Sequence, residues 1–217
     1  MKLLILGASG GCGKWIVQLA RERNYKVKAI VRKETSFKFS ENCEVIRGSV
    51  LDEEILKRGL EDSDAVLSAL GIKRKISLNP WSSLTSPGDL TTRVAEILID
   101  LMPKVGVNRF IGISAGGVRE SFRQVHPVIK WMITNSNMKK SYQDLADMES
   151  VFEKSDLDWI SVRPVTLLNG EPTGRIRQTN YYGLLNMIKR ADVATLMLDK
   201  VEQSEPFSNR TPMITSG

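Results

Sequence analysis

The sequence predicts an α/β protein in which a doubly wound parallel sheet carries helices on both faces, and three observations lead there. Short apolar runs alternate with segments of helical periodicity along the whole chain. The connections between them are mostly short, as crossover units require when each helix returns the chain to a parallel strand. Gly7, Gly10 and Gly13, spaced by three, fall where the first apolar run gives way to the first helical pattern.

The elements follow in order. Leu3 to Leu6 is a buried strand, and a helix runs from about Cys12 to Arg23 with Trp15, Ile16, Leu19 and Ala20 on one side. Lys26 to Val31 and Asn42 to Arg47 read as strands two and three, followed by a helix near Glu53 to Leu60. Asp64 to Leu70 is strand four. Residues 71–88, rich in Ser, Pro and Lys, read as a loop. Asp89 is placed to cap a helix whose face carries Leu90, Val94, Ile97, Leu98, Leu101 and Val105, with Pro103 shortening or bending its end. Asn108 to Ser114 is strand five. Residues 115–140 are irregular, with one short apolar helix around Ile129 to Ile133. A helix from about Ser141 to Lys154, a strand from Asp158 to Val162 ended by Arg163-Pro164, a helix from Arg190 to Val201 and a short strand from Pro212 to Thr215 complete the chain. No repeat or linker divides it. The expectation is a single nucleotide-binding domain over residues 1–217, with substrate-side elements at about 115–140 and 165–190.

The totals restrict function. Hydrophobic residues make up 41% and charged residues 26% of 217 residues, ordinary for a soluble globular protein. No apolar run is long enough to cross a bilayer and none reads as a signal peptide, so no membrane partner and a cytoplasmic setting are expected. Cys12 and Cys43 form no metal pattern, and no metal is expected. Cys12 sits near a helix start, where a thiol is either acidified or a small packing residue; packing is the favoured reading. The net charge of +6 arises from 31 basic and 25 acidic residues spread along the chain without interleaved aromatics. That pattern argues against nucleic acid and for an anionic small-molecule ligand.

In a doubly wound sheet, ligands bind beyond the carboxyl ends of the strands, near the switch in strand order. That rule draws Gly7 to Gly13, Arg32, Gly48 to Val50, Ala69 to Gly71, Ser114 and Pro164 to one rim. A strand, a tight glycine turn and a helix start form a diphosphate site: Gly7 and Gly10 permit the turn and close approach, Gly13 lets helix and strand pack, and the free amides of the first helical turn face the anion. Ser9, Gly11 and Cys12 belong to the same turn. An NAD site carries Asp or Glu at the end of strand two, but here Arg32-Lys33 stands there, which favours NADP(H) over NAD(H). Lys73, Arg74 and Lys75 read either as solvent-facing charge or as a reach toward a phosphate or acidic substrate.

The motifs Gly7-Ala-Ser-Gly-Gly-Cys-Gly13, Val31-Arg32, Ala69-Leu-Gly71, Ile113-Ser114-Ala115 and Trp159-Ile-Ser-Val-Arg-Pro164 occur in this order. So do Met148 to Trp159 and Ile188-Lys-Arg-Ala-Asp-Val193. Together they resemble the atypical short-chain dehydrogenases/reductases, a Rossmann-like family, most closely the NAD(P)H-binding branch with biliverdin reductase B, a flavin reductase, and the NmrA-like proteins. The resemblance implies that the glycine turn holds diphosphate and Arg32 the 2′-phosphate, while Ala69, Leu70, Gly71 and Ser114 flank the nicotinamide side. Many relatives carry Asp after the strand-three glycine to bind adenine; Ser49 here weakens that contact. Classical members pair a Tyr with a Lys four residues later. Here Tyr142 is followed at that place by Ala146, and Tyr181 and Tyr182 lack such a lysine too.

The usual proton-transfer pair is therefore missing. Ser114 reads either as a hydrogen-bonding partner of nicotinamide or substrate or as a strand-end serine satisfied by backbone. Tyr142 reads either as a donor to a substrate oxygen or as a helix-start aromatic packed on the surface. His126 is expected to be a turn residue. Three functional readings follow: an NADPH-dependent reductase of a flat conjugated acceptor such as a flavin, quinone or tetrapyrrole; a non-catalytic NADP-binding sensor; and a sugar-nucleotide epimerase or pathway-specific reductase.

Overall fold

The computed structural model describes residues 1–36, 43–76, 78–208 and 210–217. The first strand, β1 (Lys2–Leu6), pairs in parallel with β2 (Lys26–Val31) on one side and β4 (Ala65–Ser68) on the other. Flanked on both sides and covered on both faces, β1 has to be apolar throughout, and Leu3 to Leu6 are fully buried. β3 (Cys43–Arg47) continues one flank, and β5 (Arg109–Ile113) and β6 (Asp158–Pro164) continue the other. Asn42, expected at the start of β3, lies outside the described residues.

Two further strands, β8 (Ile176–Gln178) and β10 (Met213–Ser216), complete the sheet in the order β3-β2-β1-β4-β5-β6-β10-β8. All neighbours are parallel except β10 and β8. The chain winds one way from β1 to β3 and the other way from β4 onward, so the switch in strand order lies between β1 and β4, beside Gly7 and Ala69. β7 (Thr166–Leu168) and β9 (Met187–Lys189) form a separate parallel pair.

The pleat divides the core in two. Leu3 and Ile5 face one cluster with Ile16, Val17 and Ala20 of α1 (Gly11–Glu22) and Val193, Ala194 and Met197 of α6 (Arg190–Glu202). Leu4 and Leu6 face the other, with Leu56 and Leu60 of α2 (Glu53–Leu60), Val94, Leu98 and Met102 of α3 (Leu90–Lys104), and Met148 and Phe152 of α5 (Met138–Glu153). A 3-10 helix (Arg119–Gln124) and α4 (Pro127–Thr134) fill much of the expected irregular stretch; Ile129 and Ile133 point inward and Trp131 is exposed. This is the expected Rossmann-like doubly wound architecture.

Several expectations need correction. β4 is shorter than residues 64–70, α5 begins at Met138 rather than Ser141, and β6 extends through Arg163 and Pro164 because β10 pairs with that end. Pro103 falls in the last turn of α3, so the one helical bond its missing N–H forfeits lies at the end of a helix that stops at Lys104. Asp89 stands at the N-cap of α3, but its side chain makes no capping bond. Asp144 of α5 does that instead: Oδ2 accepts from the Thr91 amide at 3.0 Å and Oδ1 from the Thr92 amide at 2.9 Å. A buried carboxylate from a neighbouring helix thus satisfies the orphan donors.

Candidate functional site

β1 ends at Leu6, and Gly7 turns the chain with φ +75°, which its lack of Cβ permits. The Gly10 amide donates to the Gly7 carbonyl at 2.9 Å, closing the turn. A Cβ on Gly7 would stand 2.7 Å from the Ala69 carbonyl oxygen, and one on Gly13 only 2.1 Å from the Gly7 oxygen. Both positions therefore exclude any side chain. Gly10, at the N-cap of α1, supplies no side-chain cap, and the first turn of α1 holds no acidic residue. Its amides are left to an anion.

In front of this turn lies a cavity of about 440 Å³, within the range of small-molecule sites. Gly7, Ser9, Gly10, Arg32, Ser49, Val50, Ala69, Leu70 and Gly71 all line it, so most of the expected site residues converge from four strand ends. The Arg32 to Thr35 turn is tied down by Arg47 of β3, whose Nη1 donates to the Lys33 and Thr35 carbonyls. The Ser49 hydroxyl accepts from the Leu51 amide at 3.1 Å, and Asp52, further along, is committed to capping α2. Glu34 also reaches the wall.

The opposite wall is formed by part of the stretch read as a loop, and it includes Lys73. Residues 71–76 and 84–88 run against each other through a short antiparallel bridge between Arg74 and Leu84, with the Thr85 amide donating to the Lys73 carbonyl at 2.8 Å and the Lys73 amide donating to Ser86 Oγ at 2.9 Å. This pairing presents Lys73, Thr85, Ser86 and Pro87 to the cavity, facing Arg32. The Lys73 ammonium is pushed below its ordinary value, first by burial and then by the Arg32 charge. Two cations from distant elements thus face each other across the cavity, and Arg32 stands where carboxylate-lined ribose sites carry an acid.

The other expected residues lie elsewhere. Gly11, Cys12, Gly13, Ser114, Tyr142 and Pro164 do not line this cavity. Gly13 has its expected packing place. Cys12 sits in the apolar cluster, and burial pushes its thiol up to about 11, so the acidified reading fails and the packing reading fits. Pro164 is buried in β6, its carbonyl accepting from the Gly116 amide at 2.9 Å.

Beyond the ends of β5 and β6 is a second polar group. Ser114 is buried, and its hydroxyl has no hydrogen-bond partner among the described residues, contrary to a backbone-satisfied serine. Tyr142 sits inside α5, not at its start, and its phenol donates to the Gly116 carbonyl at 3.2 Å. Burial, then Tyr182, push that phenol well above the ordinary range, while Arg74 opposes them. The Tyr182 hydroxyl is hydrogen-bonded to Thr166 Oγ1 at 2.9 Å. His126 is an N-cap: its Nδ1 accepts from the Val128 amide at 3.2 Å, as a turn residue should. Among the described residues no cluster of metal-ligating side chains occurs, and no helix is long and apolar enough to cross a membrane.

With this geometry in place, comparison with known proteins is decisive. The profile of the NAD(P)H-binding family matches residues 7–204. The chain belongs to the NAD(P)H-binding family. Within reach of this NAD(P)H-binding protein by sequence are an uncharacterised chloroplastic protein of Arabidopsis thaliana, 27% identical over 94% of this chain and 74% of its own, and YwnB of Bacillus subtilis, also uncharacterised, 22% identical over 99% of both. Similar solved structures include ChuY, an anaerobilin reductase of Escherichia coli O157:H7, with a TM-score of 0.76, 19% identity and coverage of 100% of this chain and 97% of its own. Another is a short-chain dehydrogenase/reductase of Veillonella parvula in complex with NADP, with a TM-score of 0.75, 15% identity and coverage of 99% and 94%. At such identities these structures establish the shared fold.

Proposed function

We propose that this protein is an NADPH-dependent oxidoreductase whose acceptor is a flat conjugated molecule: a flavin, quinone or tetrapyrrole. The observation that carries the reading is the convergence of Arg32 and Lys73 on the cavity in front of the glycine turn. A 2′-phosphate offsets their mutual repulsion, whereas a bare ribose diol leaves it uncompensated. The amides of Gly11 to Gly13 hold the diphosphate, the Gly10 amide being taken by the Gly7 carbonyl, and Ala69 to Gly71 flank the coenzyme.

When bound, NADPH supplies the hydride. The chain's own contribution is orientation and exclusion of water. Tyr142 holds its proton, spends it on the Gly116 carbonyl and has Ala146 where a lysine would lower its pKa. A proton from solvent then completes the reduction, which suits flavins, quinones and tetrapyrroles better than simple ketones. The likeness to ChuY, an anaerobilin reductase, supports this acceptor class. The buried, partnerless hydroxyl of Ser114 is a candidate contact for nicotinamide or acceptor.

The same locked phenol favours a second reading, an NADP-binding sensor without turnover. Steady-state NADPH oxidation against a panel of flavins, quinones and linear tetrapyrroles separates the two. Turnover with at least one acceptor is expected; micromolar or tighter NADPH binding with none supports the sensor, and absence of NADPH binding overturns both.

A further inference from the structure

Arg190, the first residue of α6, lies against the first residue of α1. A Cβ on Gly11 would meet Arg190 Cδ and Nε at 2.8 Å, so the arginine stem occupies the space that a side chain there would need. The guanidinium is steered by two neutral oxygens of the 165–190 segment: Nη1 donates to Asn169 Oδ1 at 2.8 Å and to the Leu167 carbonyl at 3.4 Å. Its charge reaches the Cys12 thiol, lowering that pKa against the larger effect of burial.

This is an electrostatically unfavourable place for a cation. Arg190 stands at the positive end of α6 and leans on the positive end of α1. Among the described residues no carboxylate forms an ion pair with it. Asp192, the acid in the first turn of α6, is fully buried and turned away. Its Oδ1 accepts from the Thr173 and Gly174 amides at 2.6 and 3.0 Å, and its Oδ2 accepts from Thr173 Oγ1 at 2.7 Å. Two helix N-termini and a guanidinium thus meet at Gly11, and among the described residues no carboxylate is paired with that guanidinium.

We infer that Arg190 is a binding residue for the coenzyme's diphosphate, closing that subsite from α6 while Asn169 and Leu167 fix its direction. The inference rests on the reading of the glycine turn as the coenzyme site. It assigns Arg190 a different task from Arg32 and Lys73: they select for the 2′-phosphate, whereas Arg190 serves the diphosphate common to both pyridine nucleotides.

Calorimetric titration of the protein tests this with three probes: NADPH, NADH and adenosine 2′-monophosphate, which keeps the 2′-phosphate and lacks the diphosphate. Arg190→Gln is expected to weaken NADPH and NADH by the same factor, about tenfold or more, and to leave the monophosphate unchanged. Arg190→Lys is expected to recover part of the loss. Retained monophosphate affinity also reports an intact fold. Unchanged affinity for both coenzymes, or an equal loss for all three probes, would overturn the assignment. Wild-type protein that binds neither coenzyme would instead remove the underlying coenzyme-site reading, and the assignment with it.

Discussion

Arg163 and Glu149 form a bidentate ion pair in the interior: Nη2 to Oε2 is 2.6 Å and Nε to Oε1 is 3.0 Å, with both side chains essentially inaccessible. The pair joins β6 to α5. A second acid, Glu120 of the 3-10 helix, meets the outer side of the same guanidinium from a largely exposed position. The Arg-Pro end of the Trp159 to Pro164 motif is therefore an anchor for the 115–140 segment and no part of the wall of the cavity before the glycine turn. Removing one partner of a buried pair leaves the other charged and unsolvated. Glu149→Gln is expected to cost about 3–5 kcal/mol in urea unfolding. Glu120→Gln should cost about 1 kcal/mol or less, because its side chain is 64% exposed.

Capping of α3 provides a sharper contrast. Asp144→Ala removes the acceptor of the Thr91 and Thr92 amides and of the Thr92 hydroxyl at 2.9 Å, and is expected to lower stability by about 2 kcal/mol. Asp89→Ala should change it by less than about 0.5 kcal/mol. Urea midpoints of the two variants decide which aspartate serves the helix.

Arg32→Ala is expected to weaken NADPH binding about tenfold or more while changing NADH binding by about twofold or less. Lys73→Ala should produce a smaller loss with the same selectivity. The proposed sharing of one phosphate by the two cations predicts non-additive effects in a double-mutant cycle followed by coenzyme fluorescence. Equal losses for NADPH and NADH would assign both residues to general surface charge.

Tyr142→Phe is expected to keep kcat within about threefold on any acceptor the protein reduces, since general acid catalysis is typically worth about a hundredfold or more. The phenol is buried, points at a carbonyl and has its pKa raised. A hundredfold fall in kcat, with loss of an alkaline limb in the pH profile, would restore it as the proton donor.

Burial pushes the thiols of Cys12 and Cys43 up to about 11. The folded state therefore keeps these protons over a range in which the unfolded chain releases them, so stability is intact below about pH 8.5 and falls as the pH rises toward 11. Thermal unfolding should show that decline, and Cys12→Ala should flatten it. Thiol-disulfide reagents at pH 8 should react slowly with native protein and rapidly once it is unfolded.

Wherever a local pattern decides the outcome, the residues along the chain were sufficient. Lys26–Val31 and Glu53–Leu60 form the expected elements to the residue, because an apolar run and an amphipathic period are set by near neighbours. The glycine turn was legible for the same reason: Gly7, Gly10 and Gly13 meet within one βα unit. The strands β7, β8 and β9 were not, since three residues carry no periodicity of their own and gain strand geometry only from a partner.

Long-range pairings were decided by tertiary packing. Asp144 caps α3 from 53 residues away, and Lys73 reaches Arg32 only because the stretch around it pairs with the stretch around Leu84 beside the cavity. Arg190 meets Gly11 only because α6 packs beside α1. A sequence pattern shows which groups want a partner, through burial, charge or an unpaired amide. Which partner each obtains depends on where the sheet and its crossovers bring distant segments into contact, and no local period encodes that.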